Sequence, residues 1–178
     1  MRKVRLIGFA MLFAGLGNAP AAGNVTGPAV QANEYSWRQV THSVALLNRG
    51  KVVWQLNYDK AEGKPYFHPL STVDGSVLTW LRPGDHPWHR ALWFSWKFID
   101  GLNYWEEDPK TGLSEGRTEL TGVKVSASSD FSARIEMTLS YHPPEKQEVL
   151  SEKRVVEVSA PQADGCYRIG RIRPQRDL

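Results

Sequence analysis

A single cysteine, Cys166, rules out an intramolecular disulfide, so stability has to come from a packed core. Beyond residue 17 no apolar stretch approaches the ~20 residues that a membrane-spanning helix takes. There is no glycine-rich phosphate loop and no Gly-x-Ser-x-Gly elbow, and Cys166 has no histidine near it in sequence, so nucleotide cradling and nucleophilic catalysis lack their signatures. No defined metal-ligand spacing occurs. Past the N-terminus no window of ten or more residues carries a clean 3.6-residue period, and no internal repeat or low-complexity linker is present. Helical and repeat architectures are therefore disfavoured.

An excess of one charge is also missing once the N-terminus is set aside. Met1-Arg-Lys-Val-Arg5 is a basic region, Leu6 to Gly17 an apolar stretch, and Ala19-Pro-Ala21 a small-residue cleavage box, the pattern of a secretory signal over residues 1–21. Cleavage after Ala21 or Ala22 is expected, giving an exported protein, periplasmic or extracellular, with no membrane span. Removing Arg2, Lys3 and Arg5 from the 22 Lys+Arg leaves 19 cationic against 19 Asp+Glu residues. A neutral mature chain with a pI inflated by its leader offers no basic footprint for nucleic acid.

What is present is a β pattern. In Lys51 to Asp59, Val52, Trp54, Leu56 and Tyr58 alternate with Val53, Gln55 and Asn57, and Asn48-Arg-Gly50 turns the chain from a strand near Ser43 to Leu47. A hairpin follows, Val123-x-Val125-x-Ala127 returning through Ser128-Ser-Asp130 to Ile135, Met137, Leu139 and Tyr141. A strand runs from about Glu148 to Ser159. Short strands between turn signals predict one all-β domain, an antiparallel β-sandwich over residues 35–169, after a linker at 22–34. Strands are also expected at Val77 to Leu81 and at Ala91 to Ile99, the latter apolar on both sides and hence central.

Three of the five histidines and five of the seven tryptophans fall between Lys64 and Glu107. The segment contains Lys64-Pro-Tyr-Phe-His-Pro-Leu70, Asp85-His-Pro-Trp-His-Arg90, the aromatic run Trp93 to Trp96, and Gly101-Leu-Asn-Tyr-Trp-Glu-Glu107. Pro83, Gly84 and Pro87 prevent a helix across residues 82–90, so His86 and His89 belong to a stiff loop on a β scaffold, a common place for a site. Imidazoles and carboxylates among aromatic faces suit a polar ring such as a sugar.

These blocks, with Leu78-Thr-Trp80, resemble those of the bacterial exported family catalogued as methane oxygenase PmoA, over roughly Tyr35 to Ile169. The resemblance points towards a β-sandwich related to the galactose-mutarotase supersandwich, in bacteria rich in polysaccharide-degradation genes. Trp88 stands where that family has the middle histidine of Asp-His-Pro-His-His-Arg, so this loop supplies two imidazoles. The membrane-bound monooxygenase subunit of the same name is built of spanning helices, which this chain lacks after its leader.

Three functional readings follow. In the first, a carbohydrate-active enzyme works by acid–base chemistry on a sugar or sugar-derived carbonyl. His68, His86 and His89 titrate near neutrality, Asp85 or Glu106 acts as partner or base, Arg90 holds an anionic or hydroxyl group, and Trp88, Trp105 and Tyr66 bind the ring. In the second, His68, His86 and His89 with a carboxylate hold a divalent metal. In the third, a non-catalytic carbohydrate-binding module uses the aromatics alone. The structural alternative makes Asp85 and Arg90 an ion pair bracing the loop and Trp93 and Trp96 core. Finally, residues 170–178 lose the alternation and contain Pro174, which suits no central strand, so this tail reads as aberrant and the sandwich as continuing in a longer product.

Overall fold

The structure, a computed structural model, describes residues 34–162, 166–170 and 175–177. The secretory segment, nearly all of the expected linker and the turn at residues 163–165 lie outside the described residues. Two antiparallel sheets make up the architecture. In the first, β1 (Tyr35–Val40), β2 (Ser43–Asn48), β3 (Lys51–Asn57), β4 (Tyr66–Leu70) and β5 (Leu92–Trp93) follow one another in chain order. β6 (Phe98–Ile99) and β7 (Leu102–Asn103) form a small separate hairpin. The second sheet contains β8 (Arg117–Ala127), β9 (Ala133–His142) and β10 (Leu150–Val158), with β11 (Ile169–Gly170) and β12 (Gln175–Asp177) both paired to β10 on the side away from β9.

Turn chemistry explains the hairpins. Arg49 and Gly50 both take positive φ, 48° and 78°. That is the backbone sense that matches a two-residue turn to the right-handed twist of its strands. Asp100 and Gly101, at 51° and 85°, repeat the device between β6 and β7.

The two sheets share one core. Val44, Leu46, Trp54, Leu56 and Phe67 from the first pack with Leu120, Ile135, Met137, Leu139, Tyr141, Val156 and Val158 from the second. On β9 every second residue from Ala133 to Tyr141 faces inward, as period-2 alternation requires. Cross-sheet contacts hold the faces in register: the Trp37 indole donates to the Ser128 carbonyl at 3.2 Å, the Tyr35 and Phe131 rings lie 5.6 Å apart, and the Tyr167 hydroxyl donates to the Val53 carbonyl at 3.2 Å. The inward positions of β10 include two charges, Glu152 and Arg154, both buried. They are mutually satisfied, with Arg154 Nε and Nη2 donating to the carboxylate at 2.7 and 3.0 Å, Tyr141 adding a bond at 2.6 Å and the Trp96 indole one at 3.2 Å.

Two strand expectations are corrected. Residues 77–81 make only isolated bridges, Ser71 with Val77 and Leu81 with Arg90, and Val77, Leu78 and Trp80 are exposed. Residues 91–99 are not a central strand. Ala91 takes a left-handed φ of 58°, β5 has two residues, and Leu92 and Phe98 face solvent. The aromatics here pack on one another and on β10: Trp93 lies 4.9 Å from Trp105, Phe94 lies 5.4 Å edge-on to Trp96 and 5.0 Å from the Arg154 guanidinium, and Trp96 packs against the core. An apolar run reads as a buried strand by hydropathy, yet a loop whose rings pack on one another and on a neighbouring sheet satisfies the same composition. In the tail, β12 follows Pro174 directly and pairs with residues 151–153 of β10, so residues 175–177 are strand.

Candidate functional site

The residues singled out by composition do not meet at one point. His68 lies on β4, where its Nδ1 is 2.9 Å from the Thr79 hydroxyl, and partial burial pushes its imidazole below its ordinary value. His86 and His89 sit on two consecutive turns, closed by His86 N–H to the Pro83 carbonyl and His89 N–H to the His86 carbonyl, both 2.9 Å. Asp85 pairs with His86, Oδ2 to Nδ1 at 3.1 Å, with the two side chains 76% and 60% exposed. The Trp88 ring stands edge-on to His86 at 5.5 Å. Among the described residues no three of His, Cys, Asp and Glu are grouped as a metal ion would need. Glu106 is tied down separately: Lys97 donates to it at 2.9 Å and Asn103 at 2.8 Å, and the Lys97 hydrogen bond first of all holds its carboxyl below the usual value.

Arg90 does not pair with Asp85. It is 4% exposed and turns the other way, donating through Nη2 to Glu107 at 2.9 Å and through Nη1 to Glu62. Glu107, 8% exposed, is the hub of the region. Lys64 Nζ donates to its Oε1 at 3.0 Å, and Arg82 Nη1 approaches Oε2 at 3.4 Å. Lys64 is further held by Ser114 Oγ at 2.7 Å and the Trp105 carbonyl at 3.5 Å. Behind the cations stand aromatic faces, Tyr66 5.8 Å from the Arg90 guanidinium and Trp93 5.8 Å from Lys64 Nζ, so Tyr66 and Trp105 back the charged knot.

The electrostatics follow from this packing. Burial pushes the Glu107 carboxyl up, but hydrogen bonds and charge from Arg90 and Lys64 outweigh it and hold the group below the usual glutamate value. Burial pushes the Lys64 ammonium down, the charges of Arg90 and Arg82 push the same way, and Glu107 opposes them. Two carboxylates thus face three cations, with Lys64, Arg90 and Glu107 buried and Arg82 and Glu62 45% and 41% exposed at the edge.

This knot floors an open cleft of about 640 Å³ whose walls come from residues 60–62, from 112–119 and from Pro144. Two glycines let the walls approach. Gly63, at a φ of 65°, lies so close to the Thr118 carbonyl that no Cβ would fit, and Gly116 is packed in the same way against the buried Tyr104 ring. Arg82, which also donates to the Pro87 carbonyl at 3.1 Å, ties the histidine loop to the knot. His86 and His89 therefore project from a loop rooted in Arg82 and Arg90.

Lys64 and Glu107, the two ends of the histidine- and tryptophan-rich segment, were not foreseen as site residues, and neither were Glu62 and Arg82. All four lie in loops or at their ends, where no period marks which polar residue turns inward.

Residues 43–172, from β2 through β11, match a family of unknown function (DUF6807). This chain belongs to that family. The match carries no link to the methane oxygenase label. No curated protein and no solved structure matches the chain.

Proposed function

We propose that this member of the family is a carbohydrate-active β-sandwich that holds a sugar or sugar-derived carbonyl over the Lys64–Arg90–Glu107 floor. The observation that carries the reading is the placement of buried, mutually paired charges at the base of an open cleft of about 640 Å³. That volume is in the range of small-molecule sites, ~300–1,000 Å³. Charges taken out of water stabilise a fold weakly, whereas fixed donors and acceptors in a concavity give a hydroxyl-rich ligand its orientation. The cleft adds the hydroxyls of Ser114 and Thr118 and the carboxylates of Glu115 and Glu119.

Acid–base chemistry then falls to the loop rooted in this floor. The His86 imidazole lies 3.1 Å from the Asp85 carboxylate, and this pair is the one that exchanges a proton with the ligand. A second reading, ligand binding without turnover, is favoured by the exposure of His86 and Asp85, because proton transfer works best where water is excluded.

The experiment is a panel of neutral and acidic oligosaccharides offered to the purified protein, with binding followed by calorimetry and turnover by product analysis. The enzyme reading expects His86→Ala to keep binding and lose turnover. Binding without product in the parent protein supports the module, and the absence of binding across the panel refutes both.

A further inference from the structure

Arg90 has an interior partner and an outer one, and the two differ in how firmly they hold it. Glu107 is buried with it, fixed by Lys64 and Arg82 as well. Glu62 is 41% exposed, stands on the Asp59–Gly63 turn and lines the cleft itself. The Arg90 guanidinium keeps a further donor, Nε, buried and without a hydrogen-bond partner in the protein, and so is the Thr118 hydroxyl on the same cleft. A buried unsatisfied donor is costly, and a guanidinium presents its donors as a planar fork matched to a two-oxygen acceptor.

Building on the carbohydrate reading, we propose that Glu62 is an internal stand-in for a ligand carboxylate, and that the cleft takes acidic sugars of the uronate class, whose carboxylate displaces Glu62 from Arg90. The chemistry is an exchange of one carboxylate for another on a guanidinium held still by Glu107. Arg90 is buried and Glu62 41% exposed, so the exchange costs little because the incoming carboxylate takes Glu62's place and Arg90 keeps Glu107 throughout. Swinging Glu62 out leaves the three floor cations over one carboxylate, while Glu115 and Glu119 on the walls stand against Lys60 and Arg117, so the floor gains attraction for an anion. The shape of the displaced group favours a planar carboxylate over a tetrahedral sulfate. No bond is made or broken in this step.

The test is calorimetric titration of the parent protein with D-glucuronate, its methyl ester, D-glucose, glucose 6-sulfate and acetate, repeated with Glu62→Gln. Glucuronate is expected to bind at least tenfold more tightly than its methyl ester or glucose, and Glu62→Gln to bind glucuronate at least fivefold more tightly than the parent because the internal competitor is gone. Equal binding of glucuronate and glucose overturns the acidic-sugar assignment while leaving a carbohydrate cleft. Acetate matching glucuronate keeps the carboxylate exchange but removes the sugar. Preference for the sulfate, or unchanged or weaker glucuronate binding by a folded Glu62→Gln protein, overturns the stand-in role. The ester comparison in the parent reads the proposal even where the variant does not fold.

Discussion

Glu106 and Glu107 are adjacent in sequence, chemically identical, each bonded to a lysine at about 3 Å, and placed to give opposite results when neutralised. Glu106 pairs with Lys97, and both side chains are 43% exposed. An exposed ion pair is worth ~0–1 kcal/mol, since solvent screens it and two flexible chains must be ordered to form it. Glu107 is paired with the buried Lys64 and Arg90 and with Arg82. Removing it leaves two buried cations without their shared partner, a loss of ~3–5 kcal/mol. Against a typical total of ~5–15 kcal/mol, Glu107→Leu should bring the protein close to unfolding while Glu106→Leu should be nearly silent. In urea, with a slope of about 2 kcal/mol per molar, the midpoint should fall by roughly 1.5–2.5 M for the first and by no more than roughly 0.5 M for the second. Pairing Glu107→Leu with Lys64→Met should cost less than the two single changes together, because each removes the other's stranded charge. Equal shifts for the two glutamates, or a strictly additive double variant, would refute the placement of Glu107 as the hub.

Gly116→Ala should destabilise by ~1–3 kcal/mol, because the added methyl meets the Tyr104 ring; a thermal melt indistinguishable from the parent would count against that packing. Trp54→Ala should cost ~3–5 kcal/mol through the cavity left between the sheets, while His86→Ala should stay within ~1 kcal/mol, and comparable losses would contradict their burial. Stability should fall on acidification in two stages. His68, depressed in the fold, is protonated first in the unfolded chain as pH drops below 6.5, and Glu107, also depressed, withholds its proton in the fold as pH drops below 4.5. Urea midpoints at pH 7, 5.5 and 4 should decrease in that order, with Glu107→Leu flattening part of the last step; a midpoint that rises on acidification sinks the assignment.

The alternation of Val52, Trp54 and Leu56, of Ile135, Met137, Leu139 and Tyr141, and the turns between them settled the all-β, antiparallel class before any coordinates. A period of two with one apolar face leaves no other way to bury those side chains. The burial of Glu152 and Arg154 on the face of β10 that carries Leu150, Val156 and Val158 was not foreseen. Loops carry no such period. The apolar run 91–99 reads as one central strand and is instead the two-residue β5 followed by loop, and Arg90, adjacent to the histidines in sequence, turns away from Asp85 towards Glu62 and Glu107, 28 and 17 residues distant. Composition located the segment where the charges gather. Which carboxylate meets which cation was decided by the close approach that Gly63 and Gly116 permit, by the burial of Glu107, and by the requirement that a cation taken out of water find its partner wherever the chain brings one.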